Sequence, residues 1–309
     1  MTDYSFMDEW NDEEVAKFKE EGIERQEAFG DKSLIEPHAF FERPQLVAEG
    51  DSWFDYLPGT DLIDCLRSIH GYSIKNYGKA GDTLENMVYG TKFNIGSFQP
   101  TKPTIFMVLR KIEQLKPKVF LFSGGGNDIA GDEFGSYLNH SETALQPLRH
   151  EYIDYMINVV FKKCCVDLIA KVSEISPQTH IFMHGYGHTL PSGKGVSFLG
   201  FNFVGPWLRP ALISKRILEE SDQVGAVEEM INSYNEMLSL LDDATPSFHH
   251  VDLRPIIDPQ NDWANELHLK NSAYARVADK INEAIHQQSL AAGVGATAPP
   301  RLKRDVRQK

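Results

Sequence analysis

Cysteine is scarce in this chain of 309 residues, and the three that occur do not form a crosslinking pattern. Cys65, Cys164 and Cys165 are odd in number and two are adjacent, which is a poor disulfide framework and fits a reducing compartment. No Cys-x-x-Cys pair or Cys/His cluster indicates structural zinc. We therefore expect no metal site, and three thiols buried as small apolar groups.

Long apolar runs and a secretory leader are missing as well. No apolar run approaches the ~18 residues that span a bilayer. The first six residues have neither the basic region nor the apolar region of a signal peptide. These features predict a protein without a membrane span, in the cytoplasm.

Basic residues are outnumbered, 31 against 44 acidic ones, and the formal net charge is −13. This balance argues against a nucleic acid or an anionic membrane as the main partner, because both repel a negative chain. The first thirty residues hold ten acidic and three basic ones, and Asn11 is placed to cap a helix over 12–28. That helix is either a docking arm or lid or, as is usual for a charge run, a solvated helix packed loosely on the domain.

Composition divides the chain into three segments. Residues 1–44 are an acidic N-terminal extension, and 45–288 are one folded domain with a Gly- and Pro-rich loop insertion at about 185–220. Residues 289–309 are rich in Ala, Gly and Pro and end in basic residues, which predicts a flexible C-terminal tail.

The hydrophobic pattern predicts alternating strands and helices. Short apolar segments without clean alternation indicate strands buried on both faces, at 45–49, 72–77, 119–123, 180–184 and 249–253. Helical periodicity fills the gaps at 62–69, 84–88, 105–115, 152–175, 224–241 and 273–285. This alternation predicts an α/β fold with a parallel sheet between two helical layers. Ligands of such sheets bind beyond the carboxyl ends of the strands, so functional residues are expected there.

Two motifs follow the first two predicted strands. Gly50-Asp51-Ser52 is a turn that can expose a serine hydroxyl above the sheet, although turn chemistry alone explains it. The block at 80–83, Ala-Gly-Asp-Thr, is a helix entry in which Gly81 lets the backbone approach a ligand closely. Each motif is weak by itself.

Two further motifs follow the third and the last predicted strand. Three glycines at 124–126 leave the Asn127 amide free to point above the sheet. No Gly-Lys-Ser/Thr follows, which disfavours a Walker-type phosphate loop. The block at 265–268, Asn-Glu-Leu-His, places His268 before the final helix. The four motifs gain weight because they occur in order, each after its own strand.

In these four blocks the sequence resembles the SGNH (GDSL-type) hydrolase superfamily, named for Ser, Gly, Asn and His in separate blocks. The resemblance covers about residues 45–285. It implies a three-layer αβα sandwich with a flavodoxin-like, five-stranded parallel sheet. It also implies an esterase or lipase-like enzyme that takes a small-molecule ester and needs no metal or organic cofactor, while the oligomeric state stays open.

The resemblance implies a role for each block. Ser52 attacks an ester carbonyl as the nucleophile, and His268 accepts its proton as the general base. The oxyanion is met by the amides of Ser52 and Gly81 and by the side chain of Asn127.

The histidine block departs from the superfamily at one position. The residue three before the histidine is usually Asp, and here it is Asn265. Asparagine can orient an imidazole but adds no charge, and loss of the triad carboxylate costs ~10⁴ in kcat. Asp262 is the preferred source of a replacement charge, Glu266 is a second source, and a backbone carbonyl is the remaining orienter. The departure also keeps an alternative open, an SGNH-fold binding or adaptor protein with weakened catalysis.

The insertion carries further candidates. His184 and His188 are four apart, but intervening glycines make a helical zinc motif improbable. Together with Tyr186 and Trp207 they are predicted to contact substrate at the carboxyl edge of the sheet. The alternative is a structural role, in which the histidines support the loop and the rings cap the core.

Overall fold

The computed structural model of the protein describes residues 2–32, 45–56, 59–198 and 201–291. Its strands are β1 (Gln45–Glu49), β2 (Ser73–Asn76), β3 (Val119–Phe122), β4 (His180–His184), β5 (Val196–Phe198), β6 (Phe201–Val204) and β7 (Phe248–Val251). Its helices are α1 (Asp12–Lys32), α2 (Leu62–His70), α3 (Leu84–Tyr89), α4 (Ile105–Leu115), α5 (Gly126–Ile129), α6 (His150–Tyr155), α7 (Lys162–Ile175), α8 (Arg209–Ser214), α9 (Glu220–Ala244) and α10 (Asn271–Ala291). A π-helical stretch, Met156–Phe161, joins α6 to α7.

Five of these strands form one parallel sheet in the order β2-β1-β3-β4-β7. Counting only the strands of this sheet, the order is 2-1-3-4-5, which is that of flavodoxin-like folds. The predicted α/β class and the five-stranded parallel sheet are confirmed.

Alternate side chains of each strand enter two separate cores, one on each face of the sheet. Leu46 and its register partner Val119 pack with α2 and α10, whereas Val47 and its partner Phe120 pack with α3, α4, α7 and α9. Because both faces are covered, the strands carry apolar residues at successive positions rather than at alternate ones. Burial of each such side chain stabilises the fold by ~1.5–3 kcal/mol relative to exposure.

Local sequence sets the ends of the helices that flank the site. Asp61 caps α2 through a reciprocal pair of hydrogen bonds with Asp64, and Gly71 ends it in the left-handed conformation at φ 70°. Thr83 caps α3, since its hydroxyl accepts the amide of Asn86 at 3.2 Å. Asn11 caps α1 in the same way, accepting the amides of Glu13 and Glu14.

The structure differs from the prediction mainly in the insertion. The segment 185–220 contains the antiparallel pair β5–β6 and the helix α8, where irregular structure was expected. These elements are only three to six residues long, which is too short for periodicity to show in the sequence. The last helix runs to Ala291, three residues into the predicted tail, and residues 292–309 and 33–44 lie outside the described part.

Two properties expected from composition concern the cysteines and the helices. Cys65, Cys164 and Cys165 are buried and free. Among the described helices, none is both long enough and apolar enough to cross a membrane.

Candidate active site

Ser52 lies in the turn that follows β1, at the carboxyl edge of the sheet. Its neighbour Asp51 is buried and fixes this turn to two other parts of the fold. One carboxylate oxygen accepts the Ser123 hydroxyl at 2.8 Å, just after β3, and the other accepts the Tyr186 hydroxyl at 2.8 Å, just after β4. The nucleophile candidate therefore sits on a turn with little freedom to move.

His268 contacts Ser52 directly. Its Nε2 lies 2.8 Å from the serine Oγ, and its Nδ1 lies 3.0 Å from Oδ1 of Asn265. Asn265 Oδ1 also accepts the backbone amide of His268 at 2.9 Å, so the turn holds the histidine by both ring and main chain. The structure thus brings together two residues that are 216 positions apart in the sequence.

Tyr56 packs against one face of the His268 imidazole. Its ring stacks on that of His268, with centroids 4.1 Å apart and an interplanar angle of 13°. Nδ2 of Asn265 donates to the Tyr56 hydroxyl at 3.2 Å, which fixes the amide with Oδ1 facing the histidine. Nδ1 must then carry the ring proton, and Nε2 is left as the acceptor for the serine hydroxyl.

Burial lowers the pKa of His268 to about 3. The imidazole is therefore neutral at neutral pH, as a general base must be. The same environment disfavours the imidazolium that forms when the serine proton is transferred, and the amide of Asn265 offers no charge to offset this.

The two carboxylates considered as replacements for that charge lie elsewhere. Asp262 forms an ion pair with Arg276 at 2.5 Å and accepts the Asp258 amide at 2.7 Å. Within the described residues its carboxylate makes no hydrogen bond to His268, whose Nδ1 is bonded to Asn265 instead.

Glu266 is fully buried and is held by backbone amides of the insertion. Its carboxylate accepts four amides, at 2.6 Å from Trp207, 2.6 Å from Leu208, 2.8 Å from Gly193 and 3.2 Å from Arg209. Glu266 therefore joins the histidine turn to the start of α8.

The oxyanion-hole candidates meet beside the serine. Gly81 takes φ 75°, a conformation that L side chains rarely adopt, and so requires glycine. Nδ2 of Asn127 donates to the Asp82 carbonyl at 2.9 Å, which orients the amide and leaves its second hydrogen for a ligand. Ser52, Gly81, Asn127 and His268 all line one cleft.

Two spaces open from Ser52. The inner cavity, of about 80 Å³, is apolar and is lined by residues including Tyr186, Leu208, Val227, Met230 and Tyr234. The outer cleft, of about 740 Å³, is lined by residues including Val15, Ala16, Tyr56, Val196, Val204 and Trp207. Both spaces reach Ser52 and Asn127.

The insertion residues divide between these spaces and the protein interior. Tyr186 lines the inner cavity, and Trp207 lines the outer cleft, with the centroids of its ring and the His268 ring 5.5 Å apart. His184 and His188 line neither space. His184 is buried against the Trp53 ring, which lowers its pKa by desolvation, and His188 is bonded to Asn232 at 2.9 Å.

Sequence reasoning missed Tyr56 as a neighbour of the histidine. Tyr56 lies in an aperiodic turn after the serine block, and nothing in its local sequence separates it from an ordinary core aromatic residue. It also missed Lys19, whose ammonium donates to the Tyr56 carbonyl at 3.2 Å.

Known proteins are similar to this chain in two ways. The sequence model of the GDSL-like Lipase/Acylhydrolase family matches residues 43–281. Solved structures show weaker similarity. A family 3 carbohydrate esterase from Clostridium thermocellum is 16% identical, with a TM-score of 0.44 over 81% of this chain and 98% of that chain.

Two other solved structures have similar values. A lipase from a goat rumen metagenome is 13% identical, with a TM-score of 0.48 over 78% of this chain and 96% of that one. The periplasmic domain of a lipopolysaccharide acetyltransferase from Salmonella ser. Paratyphi A is 11% identical, with a TM-score of 0.48 over 79% and 84%. No curated protein matches the chain.

Proposed function

This chain belongs to the GDSL-like lipase/acylhydrolase family and is a hydrolase, and we propose that it cleaves carboxylic esters through an acyl-enzyme on Ser52. The observation that supports this most directly is the 2.8 Å contact between His268 Nε2 and Ser52 Oγ. A neutral imidazole acceptor at hydrogen-bond distance is what activation of a serine hydroxyl requires.

In the acylation step, Ser52 Oγ bonds to the ester carbonyl carbon while its proton moves to His268 Nε2. The carbonyl oxygen becomes an oxyanion, which the amides of Ser52 and Gly81 and the Asn127 side chain stabilise. Each such donor contributes ~3 kcal/mol. The intermediate then collapses, the carbon–oxygen bond to the alcohol breaks, and the alcohol leaves with the proton from His268.

Water completes the cycle by the reverse sequence. His268 accepts a proton from water, whose oxygen attacks the acyl carbon. The second intermediate breaks its bond to Ser52 Oγ, which takes the proton back, and the carboxylic acid leaves. Asn265 and Tyr56 keep the imidazole in position through both steps, so we assign Asn265 the role of orienting His268.

The inner cavity suggests the size of the acyl group. An apolar cavity of about 150 Å³ accepts benzene. The 80 Å³ of the inner cavity is about half of that, which fits acetyl to butyryl groups. We therefore propose short acyl or O-acetyl esters as substrates, with the alcohol part in the outer cleft.

A fluorophosphonate probe and a series of p-nitrophenyl esters test this function together. We expect stoichiometric labelling at Ser52, no labelling of Ser52→Ala, and kcat/KM that falls from acetate and butyrate to octanoate. Ser221→Ala, which removes an exposed serine of α9, serves as the control. Wild-type turnover by Ser52→Ala would remove the serine from the mechanism, and equal rates for acetate and octanoate would remove the short-acyl proposal.

A second candidate is a protein that binds esters but turns them over poorly. It is favoured by one observation, namely that His268 Nδ1 contacts the neutral Asn265 amide rather than a carboxylate. The same probe separates the two candidates, because an inert Ser52 in folded protein supports binding without catalysis.

A further inference from the structure

The N-terminal segment is bound tightly to the domain although it precedes the residues that match the family. The Asp8 carboxylate accepts both the amide and the hydroxyl of Ser272, at 2.8 and 2.7 Å. The Met7 carbonyl accepts the Asn271 side chain at 3.0 Å, and the Phe18 carbonyl accepts the Ser68 hydroxyl at 2.9 Å. These contacts fix the 3₁₀ turn Ser5–Glu9, which precedes α1, against α10, and fix the second turn of α1 against α2.

Lys19 links this helix to the catalytic histidine. Its ammonium lies 3.1 Å from the Asp64 carboxylate and 3.2 Å from the Tyr56 carbonyl, with 19% of its side chain exposed. Tyr56 is the residue that stacks on His268. The helix therefore contacts Tyr56, the residue that packs directly on the His268 ring.

The outer cleft lies between α1 and the insertion. Asp12, Val15, Ala16 and Lys19 line one side, and Val196, Val204 and Trp207 line the other. Since the inner cavity is about 80 Å³ and the outer cleft about 740 Å³, the larger part of an ester fits the outer cleft. In the proposed reaction that part is the alcohol.

The outer cleft is negatively charged on balance. Its charged lining residues are Asp12, Asp55 and Lys19, and the Lys19 charge is matched by Asp64. An anionic alcohol group would be repelled by Asp12 and Asp55, whereas a cationic group would be attracted.

We propose that α1 forms one side of the binding site for the alcohol part of the ester and determines which alcohols fit. It favours esters of bulky uncharged or cationic alcohols over esters of anionic ones. This inference rests on the proposed esterase function. It makes the N-terminal helix part of the substrate site.

The first experiment tests whether the side chains of α1 limit the size of the alcohol that binds. Ala16→Trp places a large ring in the outer cleft from an exposed helix position, and Ile23→Trp adds the same ring at an exposed position of α1 outside the cleft. We expect Ala16→Trp to lower the ratio of kcat/KM for 3,3-dimethylbutyl acetate to that for methyl acetate by about tenfold. Ile23→Trp is expected to keep the wild-type ratio. An unchanged ratio in folded Ala16→Trp overturns the proposal.

The second experiment tests the charge. Acetate esters of choline, 3,3-dimethylbutanol and 2-hydroxyethanesulfonate share one acyl group and differ in the charge of the alcohol. Asp12→Lys should lower the choline-to-sulfonate ratio of kcat/KM by about threefold to tenfold, because the residue is exposed and partly screened. Glu13→Lys makes the same change of net charge beside it but outside the cleft lining.

Failure of the proposed alcohol preference and failure of the proposed esterase function give different results. Equal ratios in Asp12→Lys and Glu13→Lys overturn the charge preference, and Asp12→Asn, which keeps the side-chain shape, repeats the test if the lysine variant folds poorly. Failure of the wild type to hydrolyse any of these acetates contradicts the esterase function itself.

Discussion

Oδ1 of Asn265 lies 3.0 Å from Nδ1 of His268, where a catalytic triad has a carboxylate oxygen. The contact fixes the ring and its tautomer but adds no negative charge beside the imidazolium. Orientation and charge stabilisation, which one carboxylate provides in a triad, are therefore separated in this site.

Asn265→Asp should restore the missing charge. A carboxylate beside Nδ1 stabilises the imidazolium, so we expect kcat to rise by about tenfold or more, up to the ~10⁴ that a triad carboxylate provides. Steady-state hydrolysis of p-nitrophenyl acetate by the variant and by the wild type shows whether kcat rises. Asn265→Ala is the matched loss, and we expect it to lower kcat because the ring loses its orienting acceptor.

Asn265→Asp should also shift the pH profile of kcat/KM. The active form of His268 is neutral, so activity is lost as pH falls through its pKa, which burial lowers from 6.5 to about 3. The wild-type acid limb of kcat/KM should therefore lie well below pH 6.5. A carboxylate raises this pKa, so the acid limb of Asn265→Asp should lie at higher pH. Coincident acid limbs would show that residue 265 does not control the base.

Asp262→Asn should affect stability rather than catalysis. Its carboxylate is paired with Arg276, and both side chains are largely buried, at 12% and 19% exposed. Loss of the charge should lower the free energy of unfolding by about 1–3 kcal/mol. We expect kcat to stay within about twofold of wild type, since the imidazole keeps Asn265. A large drop in kcat with unchanged Tm would instead show that the Asp262 charge supports His268 in catalysis.

The parallel sheet explains how much of the site could be predicted. Ser52, Gly81 and Asn127 each follow a strand, and parallel strands end at one edge of the sheet. The order of the motifs along the chain was therefore enough to predict that these three residues lie close together. The surroundings of His268 could not be found this way. Glu266 is held by backbone amides, which every segment of chain has, and only the folded insertion shows which amides converge on it.

Glu266→Gln should loosen the insertion around the outer cleft. A carboxamide is neutral and offers one acceptor oxygen where the carboxylate offers two, so two of the four amides lose their acceptor and the other two keep only a neutral one. We expect Tm to fall by several degrees, and KM for bulky esters to rise more than kcat falls, because Trp207 moves with the amides. Glu220→Gln, on the exposed first turn of α9, is the control. A wild-type Tm in Glu266→Gln would contradict the structural role.

Met230→Ala should lengthen the preferred acyl chain. Met230 is buried and lines the inner cavity, so its truncation enlarges the space beside Ser52. We expect kcat/KM for octanoate to rise relative to acetate. Met237→Ala removes the same side chain from the core on the same helix, outside the cavity lining, and should lower stability by a similar ~2–5 kcal/mol without changing the preference. Equal preferences in both variants would mean that the acyl group binds elsewhere.

Glu49→Gln should stabilise the protein at alkaline pH. Glu49 is the last residue of β1 and is fully buried, and its two carboxyl oxygens have no hydrogen-bond partner among the described residues. Burial, with a smaller contribution from the charge of Asp82, raises its pKa from 4.5 to about 9.

The difference in proton binding at Glu49 between the folded and unfolded states determines how stability changes with pH. Between about pH 4.5 and 9 the folded protein keeps a proton that the unfolded chain has lost, so the free energy of unfolding falls as pH rises, at up to ~1.4 kcal/mol per pH unit. Glutamine cannot ionise and removes this contribution. Asp128, whose pKa burial raises to about 7, gives a slope of the same sign in both proteins, so variant and wild type are compared at each pH. We expect urea unfolding to show similar stabilities near pH 5 and a more stable variant near pH 8. Parallel curves over this range would mean that Glu49 ionises normally in the folded state.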